Sequence, residues 1–182
     1  IPNKYLSSSI EKLFLLKHMV IAAIELPDYI DDRVRMYIYI TLTYQLPHLL
    51  YSLEDQLEGK TILDLGCGNN NFLDISSTVK NRQFEPWLCR ILKILGAHPI
   101  GVDLTSLDDE TFTYYHINLA EPNCLAMLPD YSVDLANAHS LFDSPYMIFK
   151  LNLYPPKVKN NIILQLERIL KPDATFVYTD NQ

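Results

Sequence analysis

The chain has no paired cysteines, little positive charge and no long apolar run, and each shortage narrows what it can be. Its three cysteines, Cys67, Cys89 and Cys124, form no C-x-x-C pair and have no zinc-ligand spacing. An odd number without a disulfide framework predicts a reducing compartment, so a cytoplasmic location is expected. Lys and Arg number 15 against 22 Asp and Glu, a formal charge of −7. Broad binding of nucleic acid requires clustered cations against the phosphates, so no nucleic-acid partner is expected. The most apolar stretch, Leu13–Ile24, is broken by Lys17 and His18 and is too short to cross a bilayer. No secretory signal is evident, and no membrane association is expected. There is no internal repeat and no low-complexity tract. The chain begins with Ile rather than Met, as a piece of a longer protein would.

A chain of 182 residues can bury one substantial core, so one domain with an appendage is expected. Residues 1–56 read as a helical extension and residues 57–182 as the main domain. Ser8 with Glu11 fits a capping box before a helix over about Ser9–Glu25, closed by Pro27. Asp31 or Asp32 caps a second helix running towards Gln45, before Pro47. The run Tyr37–Tyr44 is rich in β-favouring residues. Val34, Tyr37, Ile38, Thr41, Leu42 and Gln45 nevertheless recur at helical spacing, which favours helix. A third short helix is predicted over about His48–Leu57.

Strands are predicted at Thr61–Leu65, Pro99–Val102, Thr113–Ile117, Val133–Ala138 and Thr175–Thr179. Between them fall a polar loop (Ser76–Gln83), a helix over Pro86–Leu95 and a helix over about Pro156–Leu170. The first of these helices has Pro at its start and Gly96 at its end, as such helices often do. The acidic stretch Leu107–Thr111 reads as a turn or short helix. Alternating strands and helices imply an α/β fold with a parallel sheet covered on both faces.

The most informative segment is Thr61-Ile-Leu-Asp-Leu-Gly-Cys-Gly-Asn69. It reads as a buried strand carrying an acid near its end, followed by a tight glycine turn. The glycines let backbone approach a ligand closely, and such a turn can present N–H donors. About thirty residues later the strand Pro99-Ile-Gly-Val-Asp103 also ends in an acid, placed to accept both ribose hydroxyls of an adenosine. Two acid-tipped strands around one glycine turn suit an adenosine-bearing cofactor.

On these residues the chain resembles the class I S-adenosylmethionine (SAM)-dependent methyltransferases. Leu63-Asp-Leu-Gly-Cys-Gly68 is similar to their first motif and Gly96-Ala-His-Pro-Ile-Gly-Val-Asp103 to their second. Asn118-Leu119 stands where the family contacts adenine. Leu128-Pro-Asp-Tyr-Ser-Val-Asp134 resembles the lead into their fourth strand, and Leu166-Glu-Arg-Ile-Leu-Lys-Pro172 the approach to their fifth. The resemblance implies a Rossmann-like sheet in the order 3-2-1-4-5, with strands 6 and 7 apparently absent because the chain stops after the fifth. It also implies that Asp64 orients the methionine amino group, that Gly66, Cys67, Gly68 and Asn69 approach the methionine and ribose, and that Asp103 takes the ribose hydroxyls. Leu104, Asn118 and Leu119 are then the adenine contacts. The departures are Asn70 for the family's third glycine and Asp173-Ala174 for its Gly-Gly, so the latter turn must differ.

Asn137, His139 and Ser140 follow strand 4, where the family faces its substrate. His139 is the candidate general base, against the alternative of a loop histidine bonded to backbone. Asp143-Ser-Pro-Tyr146 is similar to the Asp/Asn-Pro-Pro-Tyr motif of amino methyltransferases, but a Pro-directed turn starting a helix accounts for it better. Cys67 reads as a small residue filling a tight corner rather than a nucleophile. Tyr37, Tyr39, Tyr44 and Tyr51 line either a pocket lid or ordinary half-buried packing. No metal site is expected.

The function expected is methyl transfer to a small molecule or a protein side chain, the N-terminal helices forming part of the acceptor pocket. The alternatives are a non-catalytic binding or scaffold protein of the same fold and a nicotinamide-dependent oxidoreductase. The latter's G-x-G-x-x-G would need glycine where Asn71 stands. Strand 5 would leave Phe176, Val177 and Tyr178 on an open edge, so a second copy, the N-terminal helices or further sequence is expected to cover it.

Overall fold

The computed structural model describes residues 32–68, 85–107, 110–142 and 155–179. The predicted first helix, the Ser76–Gln83 loop, Asn69 to Asn71 and the segment Asp143–Tyr146 lie outside the described residues. Helix α1 spans Asp32–Ile40, a π-helical segment Thr41–Gln45, and helix α2 Leu46–Ser52. Strand β1 (Thr61–Leu65), helix α3 (Trp87–Ile94) and strands β2 (His98–Asp103) and β3 (Thr113–His116) follow. Strand β4 (Val133–His139), helix α4 (Pro155–Ile169) and strand β5 (Leu170–Thr179) complete the order. The five strands form one sheet in the order β3-β2-β1-β4-β5, every pair parallel. This is the predicted α/β, Rossmann-like arrangement.

Period-two alternation along the strands divides the core. Ile62 and Leu135 point to the face covered by α1, α2 and α3, where they pack with Leu42, Leu46, Leu49 and Ile91. Leu63, Leu65, Ala136 and Ala138 point to the other face, against Ile162 and Leu166 of α4. Residues before and after position 56 contribute to this first cluster. At the amino-terminal edge of the sheet, Asp134 accepts the Thr61 N–H at 2.9 Å and pairs with Lys171 at 2.8 Å and Lys60 at 3.7 Å. Those contacts tie the starts of β1, β4 and β5 together.

Several boundaries differ from expectation. Pro47 does not separate two helices, and the third helix ends at Ser52, not at Leu57. Helical backbone runs from Asp32 to Ser52 because the turn before Pro47 is widened. The Leu46 N–H bonds the Thr41 carbonyl, and Pro47, lacking an N–H, enters in the first turn of α2. Threonine hydroxyls help: Thr41 Oγ1 donates to the Tyr37 carbonyl at 2.9 Å and Thr43 Oγ1 to that of Tyr39 at 2.7 Å. The widening also serves packing. Val34, Ile38, Leu42, Leu46 and Leu50 are all buried, and a strict four-residue repeat drifts by about 40° per step on a regular α-helix. A wider turn holds that series to one face.

Strand β5 starts at Leu170 rather than Thr175. Leu170 pairs with Val133 and Thr175 with Leu135, so Lys171–Ala174 bulge out of register. Asp173 lies in this bulge at φ 67°, in the left-handed region. Phe176 and Val177 are half-buried and Tyr178 is exposed, and no described strand pairs with the other edge of β5.

Candidate functional site

Register brings the two predicted acids to the same edge of the sheet. Asp64 lies one residue before the end of β1 and Asp103 ends β2. The glycine turn folds back between them. The Gly66 and Cys67 N–H groups donate to the Val102 carbonyl at 2.8 and 3.1 Å. The Gly68 N–H donates to Asp103 Oδ2 at 3.0 Å. Gly66 and Gly68 have φ of 71° and 96°, a region side chains disfavour. A Cβ on Gly66 would also lie 2.8 Å from Leu141 Cδ1. The turn thus needs glycine for its backbone shape and for the close approach of the β4 exit loop.

The two acids differ in environment. Asp103 is half-buried, and its Oδ1 accepts the Thr105 N–H at 3.3 Å. The next loop is anchored by the Tyr114 hydroxyl, which donates to the Thr105 carbonyl. Asp64 is 4% exposed. Asn137 Nδ2 donates to its Oδ1 at 2.7 Å, and Cys89 Sγ approaches its Oδ2 at 3.6 Å. Burial raises its pKa from 3.8 to about 7, the two hydrogen bonds oppose the rise, and the Asp103 charge adds to it.

Cys67 and Cys89 fill the space over Gly101. A Cβ there would lie 2.8 Å from Cys67 Sγ and 3.4 Å from Cys89 Sγ. Both are free, buried thiols whose pKa burial pushes up, which suits packing rather than nucleophilic attack.

A second pair of polar side chains continues the row. Asp64 is the register partner of Asn137, and two residues further along β4 His139 pairs with Thr179. His139 Nδ1 lies 2.6 Å from Thr179 Oγ1. From the π segment, the Tyr44 ring meets the His139 ring edge-on at 6.0 Å and that of His48 at 4.7 Å. Ser140 is half-buried at φ 51°, its N–H donating to the Thr179 carbonyl at 2.9 Å.

On the adenine side, Leu104 is half-buried and Leu119 buried. Asn118 makes the bonds of a turn residue: its Oδ1 accepts the Ala120 N–H at 3.1 Å and its Nδ2 donates to Glu121 at 3.2 Å. Asn69 lies outside the described residues. Among the described residues no cluster of His, Cys, Asp and Glu could hold a metal ion, and no helix is long and apolar enough to cross a membrane.

Several participants were missed in the sequence. Cys89 carries no motif, and its place beneath Asp64 depends on how α3 packs. Thr179 becomes visible only once the β4–β5 register is known. Arg90 stacks over Trp87 at 4.8 Å and bonds Glu85 and Glu110, joining the start of α3 to the loop after β2. None of these three is adjacent to a family motif.

No protein-family model and no curated protein matches the chain. Among solved structures it is similar to a chain of the complex between the Haloferax volcanii Trm112 methyltransferase activator and a protein described as a methyltransferase. The identity is 18% and the TM-score 0.36, over 78% of this chain and 58% of that one. It is also similar to the trans-methyltransferase CalH in complex with SAH, at 10% identity and TM-score 0.42, over 80% of this chain and 38% of that one. The chain thus spans less than two thirds of either structure, and these likenesses are too distant to carry an assignment. What the structure itself shows is a Rossmann-like α/β fold: a five-stranded parallel sheet in the order 3-2-1-4-5 with acid-tipped strands around a glycine turn.

Proposed function

We propose that the chain is a SAM-dependent methyltransferase acting on a small molecule or a protein side chain. The observation that carries this reading is the Asp64 carboxylate. It is buried beside the glycine turn, where it accepts a strong hydrogen bond from Asn137 Nδ2, and burial raises its pKa to about 7. A neutral Asn or an apolar residue would serve the fold better there. A costly acid at the carboxyl edge of a parallel sheet is what a cationic ligand group would justify.

The residues fit such a cofactor. SAM supplies a sulfonium-activated methyl group together with its leaving group. Asp64 and Asp103 give the edge a negative field that suits a ligand bearing an ammonium and a sulfonium. Asp103 would hold the ribose hydroxyls, and Gly66, Cys67, Gly68 and Asn69 would give close backbone approach. Leu104, Asn118 and Leu119 would flank adenine. Asn137, His139 and Ser140 would face the acceptor, with His139 taking its proton at a ring nitrogen. Alignment of the acceptor, worth roughly 7–11 kcal/mol in well-oriented systems, would do most of the work.

A non-catalytic member of the same fold is the second reading. It is favoured by the internal bonds of Asp103 and Asn118 and by the approach of Leu141 to Gly66. Incubation with methyl-labelled SAM and a panel of small-molecule and protein acceptors separates the two. Label transferred to an acceptor is expected. SAM binding with no transfer to any acceptor favours the non-catalytic reading.

A further inference from the structure

Buried polar side chains nearly always have their hydrogen-bonding groups met, and each exception needs a cause. Asn137 is such an exception. It lies in β4 between two fully buried alanines and is itself 4% exposed. Its Nδ2 donates to Asp64 Oδ1 at 2.7 Å, which directs its carbonyl oxygen away from the carboxylate. Among the described residues nothing donates to that oxygen. Asp64 shares the shortage. Its Oδ2 meets only the Cys89 thiol, at 3.6 Å, a weak donor. The groups that act on its charge are Asn137 of β4, Cys89 of α3 and Asp103 of β2, and none is a cation. Cys67 of the glycine turn lies alongside, and His139 is two residues further along β4.

Register holds the pair together. Asp64 and Asn137 are Cα partners in the parallel pairing of β1 with β4. Both side chains fall on the face that carries Ile62 and Leu135. Two acceptor-rich side chains thus stand side by side where apolar residues would pack at less cost. What they lack is a positively charged group with several N–H bonds.

We propose that Asp64 and Asn137 together form an ammonium site, in which the Asp64 carboxylate supplies the charge and the Asn137 carbonyl oxygen accepts a second N–H. The proposal rests on the methyltransferase reading for its ligand, the ammonium being that of the cofactor's methionine moiety. Asn137 then serves the cofactor as well as bordering the acceptor. An ammonium has three N–H bonds, enough for both side chains. Such charge-assisted bonds are about twice as strong as neutral ones. Binding also moves a proton. Burial raises the Asp64 pKa to about 7, so the free protein holds a proton there at pH 6. A bound ammonium favours the ionised carboxylate, and that proton leaves to solvent.

The test is calorimetry of the full chain at pH 6 in two buffers of different ionisation enthalpy. The ligands are S-adenosylhomocysteine and its deamino analogue, which differ only in the ammonium group. S-adenosylhomocysteine is expected to bind at least about tenfold tighter and to release about one proton, and the analogue to release none. Asn137→Ala should weaken S-adenosylhomocysteine by about fivefold or more and leave the analogue within about twofold. It should do so in the Asp64→Asn background too, where a residue acting only through the carboxylate would have no effect. If Asn137→Ala fails to fold, the Asn137 side-chain amide signal of the wild type decides: in ¹H–¹⁵N spectra it should shift with S-adenosylhomocysteine and stay put with the analogue. Equal affinity for the two ligands, no proton release, an unmoved amide signal, or an Asn137→Ala effect that vanishes beside Asp64→Asn overturns the proposal and leaves an adenosyl-binding protein. A folded protein that binds neither ligand sinks the methyltransferase reading, and this proposal with it.

Discussion

Replacing Asp64 with Asn should make the protein more stable at alkaline pH and leave it nearly unchanged in acid. The carboxylate is fully buried, and its pKa rises from 3.8 to about 7 on folding. The sign follows from proton binding. Between these values the folded chain holds a proton on Asp64 that the unfolded chain has lost, so stability falls as pH rises through the interval. The favourable situation is complete below about pH 4 and gone above about pH 7. At about 1.4 kcal/mol per pH unit the whole change is about 4 kcal/mol. Asn is nearly isosteric and its side-chain oxygen can still accept from Asn137 Nδ2, which donates to Asp64 Oδ1 at 2.7 Å. The substitution therefore removes the charge and keeps the strong hydrogen bond. Its weak point is the amide facing Cys89 Sγ, a poor acceptor.

Urea unfolding of both proteins at pH 5, 7 and 8.5 measures the difference directly. Asp134 has its pKa lowered despite partial burial, because the Lys171 bond and the Thr61 N–H outweigh desolvation. Its stabilisation is present above its unfolded pKa and lost in acid, in both proteins alike, so it cancels. Asp64→Asn should gain about 1.5 kcal/mol at pH 5 and about 4 kcal/mol at pH 8.5. An equal difference at all three values, or a less stable variant at pH 8.5, would refute the account of Asp64 as a carboxylate whose ionisation the fold resists.

Two further substitutions probe the surroundings of the site. Gly101→Ala would drive a Cβ to 2.8 Å from Cys67 Sγ and 3.0 Å from a Phe112 ring carbon. Overpacking of this kind costs about 1–3 kcal/mol, and the double substitution Gly101→Ala/Cys67→Ala should recover part of it in thermal unfolding; no recovery would mean the sulfur is not the obstacle. Arg90→Met strips the guanidinium both from the Trp87 ring and from Glu85, whose side chain is 6% exposed. A loss of about 3 kcal/mol is expected in urea unfolding at pH 7. Arg90→Lys should recover little, because Nε and the terminal nitrogens reach two carboxylates at once. A cost under about 0.5 kcal/mol would remove the ion-pair cluster from the account.

The sheet was legible because its signals are local. Thr61–Leu65 and Val133–Ala138 are short apolar runs, and both acids sit at or near strand ends, so order and spacing could be read along the chain. The helix through Pro47 was not legible. Proline usually marks a boundary, and what overrides it here is a wider turn fastened by Thr41 and Thr43 hydroxyls. The start of β5 was misplaced because Asp173 takes a left-handed conformation without glycine. In the site, the acids and the glycine turn could be found from sequence because they lie within two segments. Asp64–Asn137 and His139–Thr179 are cross-strand pairs whose members lie far apart in the chain, and only the register of the sheet brings them together. Asn118 shows the opposite limit: a residue at the family's place can use its side chain within its own turn.

The most direct test of the central claim is calorimetric titration of the purified protein with SAM and S-adenosylhomocysteine, with NAD as the control and Asp103→Ala as the companion variant. Micromolar binding of both adenosyl ligands, none of NAD, and at least a tenfold loss in a folded Asp103→Ala protein, about 1.4 kcal/mol or more, is the predicted result. An intact protein that binds neither adenosyl ligand, or an Asp103→Ala variant with unchanged affinity, would contradict the placement of the cofactor between β1 and β2.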